Sequence, residues 1–283
     1  MKICKTIDDM RAASRQTRHD GKRLGFVPTM GALHEGHLSL VRAAKAKCDV
    51  VAASIFVNPL QFGPSEDLAN YPRTFEHDTG VLEREAVDLL FAPTPEEMYP
   101  AGAVTYVTVE GLSEKLCGRS RPGHFRGVTT VVAKLFHIVE PDLAFFGQKD
   151  AAQATIIRRM VQNLNLPVEI VVCPIVREPD GLAMSSRNAY LSPQERKSAL
   201  VLYRSLTQVK NRFDQGERTA AKLIKAGKQL LTQEPAVRLD YLEIVDPATL
   251  DPMQELTKSA LVALAAVVGN TRLIDNILLL EPM

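Results

Sequence analysis

Residues 24–45 read Leu24-Gly25-Phe26-Val27-Pro28-Thr29-Met30-Gly31-Ala32-Leu33-His34-Glu35-Gly36-His37-Leu38-Ser39-Leu40-Val41-Arg42-Ala43-Ala44-Lys45. The run 24–28 is short and continuously apolar, as a strand buried on both faces is. Positions 37–47 repeat apolar residues at three- and four-residue spacing, as a helix packed on that strand does. The histidines therefore fall at a strand-to-helix turn. There the helix's first N–H groups lack intrahelical partners and its dipole favours negative charge, so a phosphate is the natural ligand. Gly31 and Gly36 allow close backbone approach. Two other readings stay open on this stretch alone. One is half of a zinc site, although no third ligand follows at a typical spacing. The other is a tight surface turn whose histidines face water.

The same alternation continues outward. Strand candidates at 24–28, 50–56, 88–91, 142–146 and 168–173 are separated by helical patterns at 37–47, 74–86, 127–139 and 150–163. That order predicts an α/β fold, a doubly wound Rossmann-like parallel sheet covered by helices on both faces. From Ser192 the pattern changes to helices at 193–213 and 217–232, then β-rich segments at 237–246, 259–267 and 271–279. Segregated helices and strands predict a smaller α+β domain. We expect domains at 1–186 and 187–283, with no internal repeat.

At 283 residues the chain has room for two domains, and a net charge of +1 argues against a large nucleic-acid-binding face. Cys4, Cys48, Cys117 and Cys173 are scattered and form no Cys-x-x-Cys pair, which predicts reduced, packed thiols. The N-terminus lacks a signal-peptide core, and the longest apolar run, Ala260 to Val268, is too short to span a bilayer, so a soluble cytoplasmic protein without a membrane partner is expected.

Four further segments carry chemistry. After the second strand, Phe56-Val57-Asn58-Pro59-Leu60-Gln61-Phe62 is a loop that should border the same crevice as His34 and His37, since ligands in open α/β sheets bind beyond the carboxyl ends of the strands. Gln61 could hold a small polar substrate there or be an exposed loop residue. Arg121-Pro122-Gly123-His124-Phe125-Arg126-Gly127 is a basic loop opening onto a helix, suited to phosphate or to solvent, with His124 ambiguous. Phe145-Phe146-Gly147-Gln148-Lys149-Asp150 repeats the strand, glycine turn and helix start. Lys149 is a point charge for phosphate, Asp150 chiefly an N-cap, and Gln153 one helical turn along faces the same mouth. Finally, Met184-Ser185-Ser186-Arg187-Asn188 offers hydroxyls, N–H groups and a guanidinium, as a mobile phosphate loop or an ordinary Ser-rich turn would.

Taken in order, these motifs resemble the pantothenate synthetases (pantoate:β-alanine ligases) of the nucleotidyltransferase superfamily, and the resemblance spans nearly the whole chain. It implies ATP-dependent condensation of (R)-pantoate with β-alanine through a pantoyl adenylate, releasing AMP and pyrophosphate. By resemblance, residues 1–186 bind nucleotide and pantoate, and 187–283 form the lid. Met30, Gly31, Ala32, Leu33, His34, Glu35, Gly36 and His37 bind ATP, as do Gly147, Gln148, Lys149, Asp150, Val176, Met184, Ser185, Ser186 and Arg187. His37, His34 and Lys149 are the catalytic residues, with His37 placed as proton donor. Gln61 and Gln153 hold pantoate, Gln61 also lying near β-alanine. Mg²⁺ accompanies the triphosphate, with no protein ligand assigned, and the family is usually homodimeric.

Two positions depart from the family pattern. Ala151-Ala152 replace an aromatic and a first glutamine ahead of Gln153, which loosens packing behind the site, and His137 stands where Asn is common. Two rival functions share parts of the pattern: an adenylyltransferase joining AMP to a phosphorylated substrate, which need not contain the Asn58–Gln61 loop, and a nucleotide-binding regulator without chemistry.

Overall fold

A computed structural model of the protein describes residues 1–64 and 66–280. Strands β1 (Lys2–Cys4), β2 (Leu24–Thr29), β3 (Val50–Ile55), β4 (Leu89–Phe91), β5 (Leu143–Gly147) and β6 (Glu169–Cys173) form one sheet in the order β1-β4-β3-β2-β5-β6. Every neighbouring pair is parallel. Helices α1 (Ile7–His19), α2 (Glu35–Lys45), α3 (Phe75–Arg84), α4 (Pro95–Met98), α5 (Cys117–Ser120), α6 (His124–Val139) and α7 (Ala151–Asn163) connect them. The expected doubly wound sheet is therefore present. The chain builds outward from β2 on one side through β3 and β4, then crosses to β5 and β6 on the other. The topological switch point lies between β2 and β5, where such sheets bind ligands. The β2–β5 ladder pairs only Gly25 with Leu143 and Phe26 with Ala144, so these strands part toward their carboxyl ends. Pro28, which has no N–H to give, sits just past the end of that ladder.

Two N-terminal elements escape the periodicity. β1 is three residues long, and α1 turns Met10, Ala13, Ser14 and Thr17 inward, a buried face half made of hydroxyl-bearing residues.

Helices α8 (Pro193–Ser198), α9 (Leu200–Asp214) and α10 (Ala220–Leu231) precede an antiparallel sheet of β7 (Val237–Val245), β8 (Ala260–Val268) and β9 (Thr271–Leu279). The apolar run 260–268 is β8. It shows no polar alternation because both its faces are covered: Val262, Leu264 and Ala266 pack with α9 and α10, while Leu261, Ala263 and Ala265 join the core of the larger unit. Leu182 already belongs to the smaller core. Cys4, Cys117 and Cys173 are buried and Cys48 partly so, and all four are free thiols. Among the described residues, no helix is long and apolar enough to cross a membrane.

Candidate active site

His34 is the N-cap of α2, and its Nδ1 accepts the Gly36 N–H at 3.1 Å. In return, His37 Nδ1 accepts the His34 N–H at 3.3 Å, which completes a reciprocal capping box made of two imidazoles. Their ring centroids lie 4.1 Å apart. The arrangement needs glycine at 36, since a Cβ there would sit 2.8 Å from His34 Cε1. It also assigns the tautomers: with Nδ1 accepting, each neutral ring carries its proton on Nε2. Two of the backbone donors expected to meet phosphate, the N–H groups of His34 and Gly36, are thus spent on the rings.

The turn ahead of His34 is held by a residue that the sequence reading missed. Asp78, fully buried on α3, accepts the N–H of Ala32 at 2.8 Å and of Leu33 at 2.9 Å, and the Thr74 hydroxyl at 3.1 Å. Ala32 has φ +50°, a left-handed conformation that a non-glycine residue keeps only when its surroundings enforce it.

A cavity of about 230 Å³ opens at the switch point. It gathers Met30, His34, Gly36, His37, Gly147, Lys149 and Asp150 with Val176, Met184, Ser185, Ser186, Arg187, Gln61 and Gln153. The remaining expected ATP contacts do not line it. Gly31, Ala32 and Leu33 form the Asp78-held turn, Glu35 is exposed and paired with Arg42, and the Gln148 amide bonds Asn276. Asp150 stands at the N-cap of α7 as expected, but its carboxylate makes no capping bond because the backbone there, at φ −98° and ψ 53°, follows a 3₁₀ turn. Arg187 is gripped by Asp67 through two contacts of 3.0 Å.

Gln61 is not a free loop residue. Asn58, 1 % exposed, donates to Gln61 Oε1 at 3.0 Å and to the Gly127 carbonyl at 3.1 Å, while Tyr99 donates to Asn58 Oδ1 at 2.8 Å. Gln61 Nε2 reaches Met30 Sδ at 3.2 Å. His124, ambiguous in the sequence, lines the cavity and bonds Gln61 from behind: Nδ1–H donates to the Gln61 carbonyl at 2.9 Å and Nε2 accepts from Arg121 at 3.1 Å. Glu66 in turn clasps Arg121.

Burial lowers all three histidines. His34 falls to about 4, with Lys149 adding to the effect, and His37 to about 3, with His34 and Lys149 adding. His124 falls to about 4 through burial and then Arg121. All are neutral at pH 7. Their unfolded pKa is near 6.5, so below that value the unfolded chain binds more protons and stability falls with pH. Each is expected to cost on the order of 1–2 kcal/mol at pH 5. Thermal unfolding should show a marked Tm loss between pH 6.5 and 4.5, smaller in His124→Gln; a flat Tm there would contradict neutral burial.

Among the described residues no group of three His, Cys, Asp or Glu side chains is placed to hold a metal ion. What lines the cavity is two imidazoles, the Lys149 ammonium and two amide side chains. The profile of the pantoate-beta-alanine ligase family matches residues 2–278. The pantothenate synthetase of Koribacter versatilis is 59 % identical over 99 % of this chain and 96 % of its own, and that of Thermotoga neapolitana 58 % over 99 % and 100 %. The crystal structure of pantothenate synthetase from Thermus thermophilus superposes with a TM-score of 0.93 at 49 % identity, covering 98 % of this chain and 99 % of that one. The Francisella tularensis pantoate-beta-alanine ligase, solved with beta-gamma ATP and beta-alanine, gives 0.81 at 35 %, covering 98 % and 97 %. A family match over nearly the whole length, joined to this fold and cavity, has one meaning: the chain belongs to the pantoate-beta-alanine ligase family.

Proposed function

We propose that the chain catalyses the ATP-dependent condensation of (R)-pantoate with β-alanine to pantothenate through a pantoyl adenylate. The observation that carries the reading is the meeting of His34, His37 and Lys149 with Gln61 and Gln153 around one cavity at the switch point. The pantoate carboxylate attacks the α-phosphorus of ATP and pyrophosphate leaves. Catalysis of that displacement is positioning plus charge neutralisation, supplied by the Nε2–H groups of His34 and His37 and by Lys149. Gln61 and Gln153 hold the pantoate hydroxyls, and Val128, Val131, Val132 and Leu135 of α6 give its dimethyl carbon an apolar wall. The same wall keeps water from the mixed anhydride until the β-alanine amine attacks the acyl carbon and AMP departs.

We place Met184 to Arg187 on the triphosphate, which requires Arg187 to leave Asp67. Mg²⁺ would accompany the triphosphate and, when bound, would supply charge neutralisation. Residues 187–283 serve as the lid on domain 1–186. We further propose a cytoplasmic homodimer, for which sedimentation should return twice the chain mass of 31.2 kDa.

The deciding assay supplies ATP, pantoate and β-alanine and follows AMP and pyrophosphate. Sustained AMP release should require both acids. A dinucleotide-like product without free AMP would favour the adenylyltransferase reading, and no pyrophosphate release with pantoate present would favour a regulator.

A further inference from the structure

We infer that Asn276, on β9 of the C-terminal sheet, is the positioning residue that sets where Lys149 stands in the cavity. Lys149 lies in a 3₁₀ turn, Gln148–Asp150, between β5 and α7, and neither the turn nor α7 has a side-chain cap of its own. Asn276 ties the turn down from outside, through the turn's carbonyls rather than its N–H groups. Its Nδ2 donates to the carbonyls of Gln148 and of Lys149, both at 2.9 Å, and its Oδ1 accepts from Gln148 Nε2 at 3.3 Å. These carbonyls belong to the two peptide planes that flank the Lys149 Cα. Each plane is rigid, so pinning both fixes the direction in which the Lys149 side chain leaves the backbone. Lys149 Nζ itself has no hydrogen-bond or ion-pair partner among the described residues, and its reach is set from its root.

Asn276 is equipped for such a role. It is 3 % exposed, so both amide hydrogens and the amide oxygen need partners, and the turn provides them. Along β9, Leu273, Ile277 and Leu279 pack with the smaller core, while Ile274 packs with the larger one, which places Asn276 on the face toward β5 and α7. The neighbouring residue fixes the strand at that point. The Asp275 carboxylate, 1 % exposed, pairs with Arg177 at 2.6 and 2.9 Å and accepts the Asn276 N–H at 2.7 Å. Adjacent residues of one strand thereby anchor the Lys149 turn and the segment that leads to Met184. The C-terminal sheet thus holds the phosphate-facing lysine in place, and Asn276 itself lines the adjoining cavity that also takes in Lys149, Asp150 and Gln153.

This inference rests on the assignment of Lys149 to phosphate, and a double-mutant cycle separates the two. Single-turnover adenylate formation is measured for the unsubstituted protein, Asn276→Ala, Lys149→Ala and the double variant. Asn276→Ala is expected to slow adenylation by about 10–10²-fold, the scale of a lost ångström of alignment, with little change in pantoate KM. On the Lys149→Ala background the same change should cost less than about twofold, because residues acting as a unit are non-additive. Full additivity, or an unaltered rate in Asn276→Ala, would overturn the inference. A near-normal rate in Lys149→Ala would instead overturn the phosphate assignment. Should Asn276→Ala not fold, the isosteric Asn276→Asp takes its place. It loses both donors, so its adenylation should be slow at pH 8 and recover as the new carboxyl protonates, whereas a normal rate at pH 8 would refute the role.

Discussion

Replacing His37 by alanine is expected to slow pantoyl-adenylate formation by about 10²–10⁴-fold, the usual contribution of a positioned acid or hydrogen-bond donor. The substitution removes the Nε2–H of a ring that lines the cavity and also the Nδ1 acceptor that caps the His34 N–H. Loss of a cap costs about 0.5–2 kcal/mol. The rate effect corresponds to roughly 3–5 kcal/mol, so capping alone does not account for it. His37→Gln, which keeps an amide N–H, should recover part of the rate. The lowered pKa of about 3 sharpens the prediction: at neutral pH the ring is uncharged, so its proposed part in adenylation is that of a neutral hydrogen-bond donor. Single-turnover adenylation should accordingly be flat between pH 6 and 8. A rate that fell about tenfold per unit above pH 6 would assign a protonated imidazole that transfers its proton, and an unchanged rate in His37→Ala would remove the residue from catalysis.

The sequence made the architecture and much of the site readable because both rest on local signals. Apolar runs alternating with helical periodicity gave the parallel sheet, and strand-turn-helix junctions at 24–37 and 143–153 marked both edges of the switch point. What stayed hidden is non-local. Nothing around Asp78 signals that an aspartate in the first turns of α3 would reach back to Ala32 and Leu33, because its partners are more than forty residues away in sequence. His124 read as ambiguous for the same reason, since only the fold brings it behind the Gln61 carbonyl. Asn276 lies in a strand with no motif at all. The capping box escaped detection for a different cause: histidine is not a usual capping residue, so the pattern looked like a phosphate turn with free backbone donors. α1 was missed because half its buried face is serine and threonine.

Gly127→Ala is expected to reduce pantoate affinity and adenylation together, by about 10²-fold in kcat/KM, a loss typical of misplacing a positioning group by an ångström. In most helices this substitution is mildly favourable, by about 0.5–1 kcal/mol. Here a Cβ would lie 2.2 Å from the Leu60 oxygen, 2.4 Å from its carbonyl carbon and 2.6 Å from the Gln61 nitrogen. All three are backbone atoms of the turn Pro59–Gln61, so relief requires the turn itself to move, and overpacking of this kind costs about 1–3 kcal/mol. The overlap therefore outweighs the helix gain, and Tm should fall modestly. The larger effect is on chemistry, because the displaced turn carries Gln61, and the bond from Asn58 to the Gly127 carbonyl that sets its height would stretch. ATP affinity should change little, since His34, His37 and Lys149 hang from β2, α2 and β5 rather than from that turn. Substrate titrations with single-turnover assays and thermal unfolding on the same variant distinguish the outcomes. A lowered Tm with unaltered pantoate binding would mean that the turn slides without carrying Gln61, and that the closing glycine of the Arg121–Gly127 motif serves packing alone.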